Sequence, residues 1–244
     1  MKTFVLGVAV DATTRSQALD RIETFLTDNL QHVMVTPNPE MILAAQKDAR
    51  LKEIIKQADL AAPDGRGVVW ALRRKGIAAE RITGVDLVLD ICALAAKMGR
   101  SVFFIGGRGG AAATTAAKIK MRFPALIVAG ASEDEQNWEL VKNARPDIVF
   151  VALGVPKQEY WIADNLAQLP TVKLAMGVGG SFDILSGRLP RAPVWLRRAG
   201  LEWLWRLTVE PRRLPRIVNA VIRFPFAVLR NWTRLSKSDT FIST

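Results

Sequence analysis

Seven short apolar runs, each set off by longer amphipathic stretches, limit what this chain can fold into. FVLGVAV (4–10), HVMVT (32–36), DLAA (59–62), SVFFIG (101–106), LIVAGA (126–131), DIVFVAL (147–153) and VKLAMGV (172–178) are apolar at both parities of the two-residue strand repeat, which predicts strands buried on both faces. Helical spacing occupies 13–30, 39–57, 66–75, 85–98, 110–122, 134–144 and 157–168. The alternation predicts an α/β fold of Rossmann-like type, a mainly parallel sheet with helices on both faces. Ligands then gather at the carboxyl ends of the strands.

Beyond Gly187 the texture changes. Residues 188–244 carry twelve Lys and Arg against three acids, +9 of the chain's net +11, and four of its seven tryptophans (Trp195, Trp203, Trp205, Trp232). The expected organisation is an α/β body over 1–187 and a basic, aromatic-rich helical appendage over 188–244, with helices at about 193–208 and 211–230. So uneven a charge implies an acidic partner: nucleic acid, an anionic membrane surface or a phosphorylated substrate. The lone Cys92 excludes an intramolecular disulfide framework and, with His32 the only histidine, a Cys/His zinc site. A reducing compartment fits. The N-terminal MKTFVLGVAV reads as a first strand rather than a secretion signal, since Asp11 and helical spacing follow without a cleavage site. No apolar window reaches the roughly 18 residues of a membrane span. The nearest, 217–229, is interrupted by Arg223 and Pro225.

Five segments bring chemistry to strand ends. GGRGGA (106–111) opens a helix and, through Gly107, Gly109 and Ala112, fits G-x-G-x-x-A. It reads as a ligand-free tight turn, a nucleotide phosphate contact or an NAD site, with Glu133 either the ribose-binding acid or part of an S-x-x-E capping box over 132–135. In TPNPEMI (36–42), Thr36 and Asn38 suit sugar hydroxyl or acetamido groups, while Asn38 before Pro39 equally suits a helix cap. In APDGRG (62–67), Asp64 is a turn residue or a carboxylate on the catalytic edge. GVPKQE (154–159) offers Gln158, and GVGGSFD (177–183) offers Gly180 for backbone approach with Ser181 and Asp183 for polar contact. The incomplete elbow at Ser181 and the position of His32 in a strand argue against a Ser-His-Asp hydrolase. With no D-x-D motif, metal-free chemistry is expected.

Taken in order, TPNPE, PDGRGVVW, RITGVDL, GVPKQE, GVGGSFD and RAPVWLRRAGLEWLWRL resemble the WecG/TagA/CpsF family of bacterial glycosyltransferases over about residues 31–220. The resemblance implies transfer of a sugar from a UDP-sugar donor to a polyprenyl-diphosphate-linked sugar acceptor, with no cofactor, at the cytoplasmic face of the bacterial membrane. The products are teichoic acid or other surface polysaccharide linkage units. It places a general base at Asp64, substrate contacts at Thr36, Asn38, Arg81, Gln158 and Asp183, and closing arginines at Arg206, Arg213 and Arg216. Gly107 and Gly180 join the expected substrate contacts. The TPN triplet is similar to the teichoic-acid branch, which makes N-acetylmannosamine the first choice; N-acetylmannosaminuronic acid and glucose are the alternatives.

The residue types suit an inverting transfer. Asp64 would take the proton from the attacking hydroxyl, and arginines with backbone amides would meet the charge on departing UDP. The basic tail, with Trp203, Trp205 and Trp232, would lie on an anionic membrane surface. A nucleic-acid-binding protein is the competing class, disfavoured because the polar strand ends lie in the near-neutral body. A second copy of the chain is a further candidate partner, through the tail's apolar face.

Overall fold

The first apolar run does not form a single strand. In this computed structural model, which describes residues 2–136 and 138–231, β1 (Lys2–Val5) and β2 (Val8–Asp11) pair antiparallel about Leu6 and Gly7, both at positive φ (50° and 71°). Such a two-residue turn matches strand twist, and with leucine rather than asparagine at its first position it lacks the usual sequence signal. The remaining six runs are strands: β3 (His32–Val35), β4 (Leu60–Ala61), β5 (Ser101–Gly106), β6 (Ile127–Ser132), β7 (Ile148–Ala152) and β8 (Leu174–Gly177). They form one wholly parallel sheet in the order β4-β3-β8-β7-β5-β6.

Side-chain alternation along the strands divides the core in two. Met34, Phe104, Ile148, Phe150 and Met176 face α1 (Arg15–Thr27), α5 (Gly84–Met98), α6 (Ala111–Arg122) and the short α9 (Ser181–Leu185). Their neighbours of opposite parity, Val35, Ala61, Phe103, Val149 and Val151, face the other side. There α2 (Pro39–Ala45), α3 (Ala49–Gln57) and α4 (Arg66–Arg74) cover one half, and α7 (Trp138–Ala144) and α8 (Lys157–Asn165) the other.

Several helices are shorter than their spacing predicts. The stretch 39–57 breaks before Asp48, whose carboxylate caps α3 by accepting from Leu51 N at 3.0 Å. The expected 132–135 capping box is not formed. Ser132 Oγ accepts from Asp134 N (3.1 Å) and Asp134 Oδ1 from Gln136 N (2.9 Å), making a polar turn ahead of α7.

The segment after 187 is helical but interrupted. It comprises α10 (Val194–Ala199), α11 (Glu202–Val209), a 3₁₀ turn Pro211–Arg213, α12 (Leu214–Val218) and a helical run to 231 whose first turn, Asn219–Arg223, has π spacing. The single helix expected over 193–208 stops at Gly200 (φ 83°), where Arg66 Nη2 donates to Arg197 O (3.2 Å); a side chain at Gly200 would collide with that guanidinium. Trp232 lies outside the described residues.

Phe224 fastens this segment to the body. Its ring is fully buried and belongs, with Val228, to the core that holds Met41, Ile42, Val68 and Leu72. A Cβ on Gly67 would come within 3.2 Å of the ring, so glycine keeps the seat open. Truncating a buried phenylalanine costs about 3–5 kcal/mol. Phe224→Ala is therefore expected to lower unfolding stability by that order and to expose the arginines of 197–230 to trypsin before the rest of the chain. Wild-type stability and cleavage order in denaturation and limited proteolysis would contradict this anchoring.

Candidate active site

Parallel strands deliver their following loops to one edge, and four of these loops enclose a cavity of about 560 Å³. Thr36 and Asn38 enter it from β3, Asp64 from β4, Gln158 from the start of α8 after β7, and Gly179, Gly180 and Ser181 from β8. The appendage supplies the far wall with Glu202, Trp203, Arg206 and Arg213.

Asn38 is a helix cap as well as a wall residue. Its Oδ1 accepts from Met41 N at 2.9 Å, with Pro39 at the first helical position. Its amide nitrogen makes no hydrogen bond among the described residues, so that end is available to a ligand.

Asp64 is held by its backbone. Its N–H donates to Pro37 O (3.0 Å), Pro63 O accepts from Ile82 N (2.9 Å), and Gly65 turns the chain at φ 86°, with Pro39 packed where a Cβ would sit. The carboxylate is in the cleft, 23% exposed, with Arg81 Nε 3.7 Å away. Burial pushes its carboxyl up to about 6, against the pull of Arg81 and with a further push from Glu202. Arg81 is shared, since its Nη2 bonds Glu202 Oε2 at 2.6 Å.

Gln158 is a buried brace. Its Oε1 accepts from Gly179 N (2.8 Å) and its Nε2 donates to Glu159 Oε1 (2.7 Å), which sets the path of the Gly179–Gly180 backbone. Burial lifts the Glu159 carboxyl to about 7, with Gln158 drawing it back.

Arg213 reaches that loop from the appendage: its Nη2 lies 3.3 Å from where a Gly180 Cβ would be, and Asp183 lies 3.7 Å from the same point. Arg206 and Arg213 both pair with Glu210, at 3.3 and 2.9 Å. Thr36, Asn38, Asp64, Arg81, Gln158, Gly180, Arg206 and Arg213 thus line one cavity, whereas Asp183 and Arg216 do not line it.

Gly107 is elsewhere. At its turn one of the first α6 amides, Ala111 N, donates to Glu133 Oε1 (2.9 Å), and the Arg188 guanidinium packs against Gly109. Glu133 thus closes this turn from within the chain.

Sequence reasoning passed over Glu40, Glu202 and Arg191. Glu202 is the second partner of Arg81, and Arg191 bonds Asp86 with both contacts at 2.8 Å. All three belong to quoted motifs, but nothing in those motifs tells a charged residue facing the cleft from one facing water.

The sequence model of the glycosyl transferase WecG/TagA/CpsF family matches residues 3–238. An N-acetylglucosaminyldiphosphoundecaprenol N-acetyl-beta-D-mannosaminyltransferase of Bacillus spizizenii (strain W23) is 35% identical over 212 residues, 82% of each chain. The protein of the same description from Staphylococcus aureus (strain MRSA252) is 32% identical over 247 aligned residues, 97% of this chain and 96% of the relative. With nearly its whole length matched, this chain belongs to the WecG/TagA/CpsF family of glycosyl transferases.

Proposed function

We propose that this glycosyltransferase moves N-acetylmannosamine from a UDP-sugar to N-acetylglucosamine carried on a polyprenyl diphosphate, with inversion and without a metal, and that Asp64 is its general base. The relatives' described activity supports the sugar and the acceptor. The observation that carries the mechanism is the Asp64 carboxylate, in the cavity, reachable by substrate and raised to about 6.

A base of that strength is ionised at neutral pH yet basic enough to draw a proton from a hydroxyl as bonding to the anomeric carbon begins. The acceptor oxygen forms its bond as the bond from the anomeric carbon to the UDP oxygen breaks, the proton passes to Asp64, and UDP leaves as an anion. Arg206 and Arg213 stand on the cavity wall, where they can offset that developing charge, and Arg216, whose charge acts on Glu40 of the same wall, can add to it. The Asn38 amide nitrogen and Thr36 hydroxyl are suited to the hydroxyl or acetamido groups of a sugar.

The appendage is proposed to rest on the anionic inner leaflet of the cytoplasmic membrane, where a polyprenyl-linked acceptor resides. Among the described residues no helix is long and apolar enough to cross a membrane. Trp195, 66% exposed, and the exposed Leu214, Ile222 and Phe226 stand among basic residues, as interfacial binding requires. Trp205 is less available, because its indole donates to Pro190 O at 3.0 Å, and Trp203 lines the cavity.

Asp64→Asn is expected to lower turnover about 10²–10⁴-fold while retaining UDP binding. The wild-type rate is expected to survive EDTA. The same substitution should raise the melting temperature at pH 7.5. A carboxyl raised from 3.8 to about 6 destabilises the folded chain above pH 6, and protonation relieves that cost as the pH falls from 6 toward 3.8. Near-normal transfer would remove Asp64 from the base role, and a strict metal requirement would overturn the arginine-based account.

In liposome flotation the protein should rise with vesicles containing phosphatidylglycerol, and Trp195→Glu with Phe226→Glu should stay at the bottom. Equal flotation of both proteins, or binding to nucleic acid alone, would contradict membrane docking through these residues.

A further inference from the structure

Asp64 is not the only carboxylate in the cleft. Glu40 follows Pro39 in the first turn of α2, is half-buried, and lines the same cavity as Arg206 and Arg213. It makes no hydrogen bond and no ion pair among the described residues. The helix that carries it packs against the Asn219–Arg223 segment, so its position facing the appendage is fixed by the junction that Phe224 anchors. Burial raises the Glu40 carboxyl, and the charges that draw it back are those of Arg216, Arg213 and Arg206. Arg206 and Arg213 have Glu210 as a direct partner, whereas Arg216 has no ion pair among the described residues.

We propose that Glu40 is the resident counter-ion of the empty cleft, balancing Arg206, Arg213 and Arg216 until a diphosphate occupies them. The diphosphate must bind against the repulsion of Glu40, and UDP leaves more readily for the same reason. Glu40 thereby weakens product inhibition without touching the reacting atoms. This inference rests on the proposed diphosphate-bearing donor.

The test is titration calorimetry of the full chain with UDP and with inorganic pyrophosphate, for wild type, Glu40→Gln and a control, Glu53→Gln, which removes an exposed charge on α3. Glu40→Gln is expected to bind both ligands about fivefold more tightly at low salt, the gain shrinking as salt screens it, and to be more strongly inhibited by UDP. Glu53→Gln should match wild type. The sign separates the proposal from simple damage to the fold, which weakens binding; thermal melts of each variant check this directly. Unchanged or weaker binding by folded Glu40→Gln overturns the counter-ion role while leaving the donor reading intact. Failure of the wild type to bind UDP overturns the donor reading and this proposal together.

Discussion

Arg81 stands between two carboxylates that belong to different parts of the chain, and much of the site's chemistry follows from how it divides itself. Its Nη2 is committed to Glu202 of α11 at 2.6 Å, and its Nε reaches Asp64 only at 3.7 Å. An aspartate paired closely by an arginine is held well below the ordinary range and makes a poor base; one buried without any cation stays protonated. Asp64 sits between these limits because burial raises its carboxyl, Arg81 draws it back, and Glu202 adds a like charge that pushes it up again. Since Glu202 lies in the appendage, the basicity of the Asp64 carboxylate responds to where the appendage is seated.

That seating is an apolar matter. Phe224 and Val228 join the core under α2 and α4, the two helices that begin immediately after the Asn38 and Asp64 loops. The same contact therefore positions α2, with Glu40 at its start, against the arginines of the appendage. At the β7 and β8 loops Gln158 does comparable work through hydrogen bonds, its buried amide fixing the Gly179–Gly180 backbone against which Arg213 lies. Charge, packing and backbone shape converge on one cavity because the β3, β4, β7 and β8 loops emerge at the same sheet edge.

The sheet was legible from the sequence because strands buried on both faces leave an apolar run that polar helices cannot imitate. Six of the seven runs are strands of one sheet, and the seventh differs only because Leu6 accepts a conformation its side chain does not advertise. The helix interruptions at Asp48 and Gly200 were less visible. At Gly200 the left-handed backbone ends α10, and the guanidinium packed against it comes from Arg66, more than 100 residues away in sequence.

For the site, the strand-end residues Thr36, Asn38, Asp64 and Gln158 could be singled out because polar groups directly after buried strands have few other places to go. Gly107 shares that local pattern but lies outside the cavity, at a turn where Glu133 accepts from the Ala111 amide. Glu40 and Glu202 were illegible for the converse reason: each looks like an ordinary charged position on a helix, and only the docking of the appendage turns them inward.

The central claim is that burial and a divided Arg81 bring Asp64 to the strength of a useful base. Carbon-13 titration of the Asp64 carboxyl in the intact protein, repeated in Glu202→Gln, measures it directly. The account predicts a midpoint near 6 in the wild type and a lower one in the variant, where Arg81 is released toward Asp64 and a like charge is removed. A wild-type midpoint near the ordinary 3.8, or one unmoved by the loss of Glu202, would contradict it.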